Sequence, residues 1–164
     1  MKRDQIDAFC GCRETLYQRI VFFAAPAILL AGIVYVAVRY AQLPAEIPSH
    51  YNFYGEIDGY GSRGTLWITP VIGILCDALM LAVSFFPQTW NVGTSVTVFN
   101  RALVYRRVRD LIADIRLSTA VMFTAIAVWQ TALAPTFPWG MGVLIGVCCT
   151  APLVRFFVRL AMKK

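Results

Sequence analysis

Residues 20–38 read IVFFAAPAILLAGIVYVAV, nineteen consecutive positions without a charge. About 20 apolar residues suffice for a helix to cross the hydrocarbon core of a bilayer. The stretch therefore predicts a membrane-spanning helix over about 20–40, with Arg39 at its end able to reach back to the interface. A cleavable leader is the competing reading, but the segment before it is long and of mixed charge. No small-x-small cleavage signal follows it, so it reads as an anchor.

Working outward, the pattern repeats. Residues 64–100 contain one charged side chain, Asp77, and residues 117–154 contain none. The first of these runs predicts a span over about 66–86, closed by Phe85, Phe86 and Pro87. The second is too long for one crossing and is broken at PTFPWG, 135–140, which predicts two spans at about 117–133 and 139–160. Tyr40, Trp67, Trp90 and Trp139 fall near span ends, where interfacial aromatic residues collect. The expected fold is an all-α integral membrane domain over 1–164, its four transmembrane helices arranged in two hairpins.

Composition agrees with this reading. The 164 residues are 59% hydrophobic and 15% charged, with a mean hydropathy of +0.63, where soluble domains carry about a quarter charged residues. The net charge of +6 would suit nucleic acid, but its distribution argues for membrane topology instead. Lys2, Arg3, Arg13, Arg19, Arg101, Arg106, Arg107, Arg109, Arg116, Arg155, Arg159, Lys163 and Lys164 share one side of a four-span arrangement, against Arg39 and Arg63 on the other. Cytoplasmic segments collect Lys and Arg, so both termini are expected inside a bacterial plasma membrane. No nucleic-acid partner and no cofactor are expected; the bilayer is the expected environment.

Residues 100–116, NRALVYRRVRDLIADIR, place Val104, Val108, Leu111 and Ile115 at helical spacing. They predict a cytoplasmic amphipathic helix leading into span three. Its basic side chains Arg106, Arg107 and Arg109 are candidates for contact with a cytoplasmic protein or anionic lipid. The plainer reading is a helix packed beneath the bundle.

Residues 43–65, LPAEIPSHYNFYGEIDGYGSRGT, are too polar for lipid and too rich in Pro and Gly for a helix. They are expected to form an ordered, non-helical outer cap. His50 is the one histidine of the chain. Glu46, His50 and Asp58 have ligand chemistry that zinc accepts, although no HExxH pattern accompanies them. Alternatively, His50, Asn52 and Asp58 bond the loop's own backbone, as polar turn residues do. The loop is net acidic and carries Tyr51, Phe53, Tyr54 and Tyr60, a surface suited to a cationic amphipathic peptide.

This loop resembles a known family. Leu43-Pro44, Ile47-Pro48-x-His50-x-Asn52, Gly55, Asp58 and Tyr60-Gly61-Ser62 are similar to the signature of a bacterial membrane domain of unknown function. That domain forms the N-terminal part of the SdpI-like immunity proteins of the sporulation-delaying-protein system, and it occurs in short homologues. The resemblance is close over Leu43 to Pro70 and extends to spans one and two by position. Asn100, Tyr105 and Arg109 match more loosely a spacing in short homologues, and Arg63 stands where Lys is common. The resemblance implies protection against a secreted membrane-active peptide and sequestration of a repressor at the membrane. Pro48, His50, Asn52, Gly55, Asp58, Gly61, Ser62 and Arg63 would then carry the outer-face function. The immunity proteins continue with a longer C-terminal membrane region beyond the four spans found here.

Asp77 lies in VIGILCDALML, 71–81, where a carboxylate costs about 2.5–3.5 kcal/mol on insertion scales. By depth, Thr124 and Cys149 or Thr150 are its expected neighbours, with no cation near. A protonated Asp77 in an interhelical hydrogen bond is the expectation, and a transporter built on it the lesser alternative. Cys10, Cys12, Cys76, Cys148 and Cys149 suggest no disulfide framework, and nothing in the sequence argues for an enzyme. Besides peptide protection, the other function class is a small membrane sensor or accessory subunit signalling through the basic helix.

Overall fold

A computed structural model describes residues 1–92 and 95–161. The chain is mostly helical. A short α1 (Arg3–Cys10) precedes α2 (Leu16–Tyr40), and an antiparallel pair, β1 (Glu46–Tyr51) and β2 (Ile57–Ser62), follows. A 3-10 turn, Arg63–Trp67, then enters α3 (Ile68–Ser84), and α4 (Arg101–Gln130) and α5 (Trp139–Ala161) complete it. Among the described residues, four stretches are long and apolar enough to cross a membrane: Leu16–Tyr40, Arg63–Ser84, Arg101–Gln130 and Trp139–Ala161.

Cross-helix bonds fix the directions. Thr124 on α4 donates to the Ile28 carbonyl while Tyr17 bonds Asp114, so α2 and α4 run the same way. Thr69 pairs with Gln130 and Asp77 with Arg116, so α3 runs opposite to α4. Arg155 and Arg159 bond Asp114 and Asp110, which sets α5 opposite as well. One end of the bundle therefore gathers α1, the starts of α2 and α4, and the ends of α3 and α5. The β-hairpin caps the other end.

Helix α2 starts on a reciprocal cap. Thr15 Oγ1 accepts from Gln18 N at 3.2 Å and Thr15 N donates to Gln18 Oε1 at 3.1 Å. The mid-bundle core is small and aliphatic, with Val21, Ala25 and Leu29 of α2 against Ala113 and Ala120 of α4. Helices approach closely at Gly73, where an added Cβ would stand 2.9 Å from Phe123 Cβ and 3.0 Å from Leu29 Cδ2. Small residues permit such approaches where lipid offers no hydrophobic drive for helix association. Gly73→Ala should therefore cost about 1–3 kcal/mol, the usual penalty of overpacking, read as a lower melting temperature in detergent.

The helices refine the hydropathy reading. The amphipathic segment 100–116 and span three are one unbroken helix of 30 residues, about 45 Å long against a hydrocarbon core of about 30 Å. Of the stripe Val104, Val108, Leu111 and Ile115, Val104 is buried and the other three are half-buried. The buried positions are Val104, Ile112, Ala113, Asp114, Arg116, Ala120 and Ala127. In lipid the large apolar side chains turn outward, and small or paired polar ones turn in. The ends also shift: α3 stops at Ser84 and α4 at Gln130, short of the 86 and 133 read from hydropathy. Leu133 there adopts a left-handed φ of 51°.

Candidate functional site

The hairpin is built from its turn outward. Asn52 Oδ1 accepts from the backbone N–H groups of Tyr54 at 2.9 Å and Glu56 at 3.0 Å, and Gly55 turns the chain with φ 81°. That is the bonding by which asparagine holds a turn without help from the rest of the fold. The register is irregular about His50, with Gly59 opposite His50 and Gly61 opposite Ile47. A Cβ on Gly61 would stand 3.2 Å from Ser49 Cβ, and one on Gly59 3.1 Å from His50 Cβ. Glycine at these two positions lets the bulged strand fold over its partner.

The base of the hairpin is tied to the helices. Arg63 donates to the Leu43 carbonyl at 3.2 Å and lies over the Tyr40 ring at 4.9 Å. Ser62 Oγ accepts from Gly64 N and so caps the 3-10 turn. Beneath, Ile47 and Leu66 are buried with Val36, Leu43 and Ala127.

A second tie runs to the connection between α4 and α5. Tyr51 donates its hydroxyl to the Ala134 carbonyl at 2.9 Å, and burial pushes its pKa up. Its ring meets Trp129 at 5.1 Å and Phe137 at 6.1 Å. Phe137 N donates to the Gly55 carbonyl at 2.8 Å.

His50 Nδ1 and Asp58 Oδ1 stand 2.5 Å apart, on side chains 72% and 42% exposed. Asp58 therefore bonds an imidazole and not the loop backbone. Glu46 pairs with Ser62 at the far end of the ladder. Among the described residues no group of three or more His, Cys, Asp or Glu gathers to hold a metal ion. An exposed pair of this kind contributes about 0–1 kcal/mol. His50→Ala should thus leave the hairpin folded and move the melting temperature by a few degrees at most. A collapsed hairpin after that substitution would contradict this geometry.

The hairpin's tip is aromatic and bare. Phe53 is 99% exposed and Tyr54 85%. With Gly55, Phe137, Gly142, Val143 and the 92% exposed Trp139, they line a groove of about 350 Å³ at the start of α5.

Asp77 is not without a cation. Arg116 Nε meets its Oδ1 at 2.8 Å and Nη2 its Oδ2 at 3.1 Å, with both side chains buried. This overturns the expectation that Asp77 faces Thr124 and Cys149 or Thr150 with no cation near. It also removes Arg116 from the set of charges lying outside the span. Thr124 instead serves α2, and Thr150 returns its hydroxyl to the Gly146 carbonyl.

The basic helix is likewise more engaged than its sequence suggests. Arg109 bonds Asp7 at 2.7 Å and the Cys12 carbonyl at 3.1 Å. Asp110 and Asp114 hold Arg159 and Arg155 of α5, with Gln18 and Tyr17 of α2 on the same carboxylates. Arg106 is exposed. Cys10 is fully buried and its thiol is pushed up to about 11 by burial. Lys163 and Lys164 lie outside the described residues.

Residues 27–74 match the model of a family described as a domain of unknown function (DUF1648). That stretch runs from α2 through the hairpin into α3. The chain is also similar to an uncharacterized protein of Archaeoglobus fulgidus, 25% identical over 145 residues, covering 79% of each chain. No solved structure matches.

Proposed function

We propose that the chain is a bacterial inner-membrane protein whose hairpin-capped end faces outward and binds a cationic, amphipathic peptide, giving protection of the SdpI-like immunity type. The observation that carries this reading is the aromatic groove beside an acidic hairpin. Arg63 is folded back on Tyr40 at the hairpin's base, while Glu56 and Asp58 stand toward the tip. A peptide with Lys or Arg on one face and apolar residues on the other would meet carboxylates and aromatic rings together. The orientation rests on the basic residues. Without Arg116 they still greatly outnumber Arg39 and Arg63 at the opposite end, as cytoplasmic faces do.

The test uses the full chain in nanodiscs and a fluorescent cationic amphipathic peptide. Phe53→Ala with Tyr54→Ala should weaken binding at least about tenfold, since buried aromatic anchors dominate such interfaces. Glu56→Gln with Asp58→Asn should flatten the salt dependence of association. Peptide uptake equal to that of protein-free nanodiscs would refute the reading, as would unchanged peptide killing of cells that express the chain.

A second reading, a small sensor or accessory subunit, is favoured by the continuity of α4. That one helix joins the hairpin's anchor at Trp129 to Arg106 and Arg107 at the other end. A cytoplasmic partner lost on Arg106→Glu with Arg107→Glu would support it.

A further inference from the structure

The end of the bundle opposite the hairpin holds a half-open cavity of about 70 Å³ among α1, α2, the end of α3 and α4. A water needs about 10–15 Å³ by this measure, so the space suits a group of several heavy atoms. From α4 it takes Arg109, Ile112, Ala113 and Arg116, positions separated by three, four and seven residues and therefore one stripe of the helix. Arg3 of α1 completes a set of three guanidinium groups. Arg3 and Arg116 both lie over the Phe22 ring, at 4.4 and 5.7 Å from its centre.

The electrostatics are asymmetric. Asp7 holds Arg109 and Asp77 holds Arg116, yet neither aspartate lines the cavity. Asp77 holds the Arg116 guanidinium through two N–H groups and Asp7 holds Arg109 through one nitrogen, both from outside the cavity's walls. Among the charged residues of those walls the one acid is Glu14, 3.5 Å from Arg3. Arg116 spends two N–H groups on Asp77, of the five a guanidinium carries. Planar, pre-oriented guanidinium groups are matched to phosphate, which they bind bidentately. Val21, Phe22, Phe85 and Trp90 supply an apolar wall beside them. Basic pockets between membrane helices at the headgroup level hold phospholipid headgroups in this way.

We propose that this cavity binds a phosphate group, carried either by a membrane lipid headgroup or by a soluble phosphate. The test places the full chain in phosphatidylcholine nanodiscs with and without phosphatidylglycerol, and separately in detergent with inorganic phosphate. Retained lipid is counted by native mass spectrometry, and the melting temperature is followed in both arms. Phosphatidylglycerol retained and stabilising assigns the lipid source, and stabilisation by inorganic phosphate alone assigns the soluble one. In whichever arm binds, Arg3→Gln should weaken affinity about tenfold, the loss of one charge-assisted contact. Glu14→Gln should tighten it severalfold, a gain that no folding defect can imitate. Arg106→Gln, which lies outside the cavity, should leave it unchanged. Binding in neither arm would overturn the proposal, and so would equal effects of Arg3→Gln and Arg106→Gln.

Discussion

Asp77→Leu alone is expected to cost the fold about 3–5 kcal/mol, because breaking one side of a buried ion pair strands the other. The partner left behind would be Arg116, buried within the bundle and spending its Nε and Nη2 on Asp77. A guanidinium cannot discharge itself by losing a proton, so it must stay charged or drag water inward. Arg116→Met should be milder, since a lone carboxyl group, unlike a guanidinium, has a neutral form open to it. The double variant Asp77→Leu with Arg116→Met should recover most of the loss, since a packed apolar pair substitutes well for a buried ionic one. Thermal unfolding in detergent, with the yield of monodisperse protein, reads all three. Equal melting temperatures for the two single variants and the native chain would mean that the pair is not formed. The bidentate pair also removes the unpaired acid on which a transport reading of Asp77 rested.

That pair marks the limit of what one sequence discloses. Charge-free runs such as 20–38 announce spans because a bilayer tolerates few charges, and this constraint is local. Which charge pairs with which depends on the register between α3 and α4, a non-local property. Hydropathy hid Arg116 in particular, because the charge-free run begins just after it. A usable signal was present in the spacing of Arg109, Ile112, Ala113 and Arg116, which puts two arginines on the face of α4 with small and branched apolar residues. Pro48 and the glycines of 43–65 excluded a helix, but the pairing of β1 with β2 is again non-local and left no periodic signal in Ile57–Ser62. Asn52 was readable because its turn chemistry is local. The bond from His50 to Asp58 was not, because it depends on how the bulge aims the imidazole.

Trp129 and Trp139, both at the hairpin end, should separate anchoring from recognition. Trp129 lies between Tyr51 and Phe137, at 5.1 Å from each ring, and its indole N–H is buried. Trp129→Ala would remove the aromatic body that joins the hairpin to α4, at an expected cost of about 3 kcal/mol. Proteolysis within 52–56 and 131–138 should then accelerate, because the bonds from Tyr51 to Ala134 and from Phe137 to Gly55 lose the packing that shields them. Trp139 has the same side chain with almost none of this contact, being 92% exposed at the rim of the groove. Trp139→Ala should leave the melting temperature within the range of a neutral surface change, about 0.5 kcal/mol. If the groove receives an apolar peptide face, the same substitution should weaken binding at least about tenfold. The pair of variants keeps two failures apart: a Trp139→Ala chain that melts like the native one and still binds peptide would dismiss the groove while leaving the anchor standing. A Trp129→Ala chain with native stability and an undigested hairpin would mean that β1 and β2 are held by Arg63 and the Ile47 core alone.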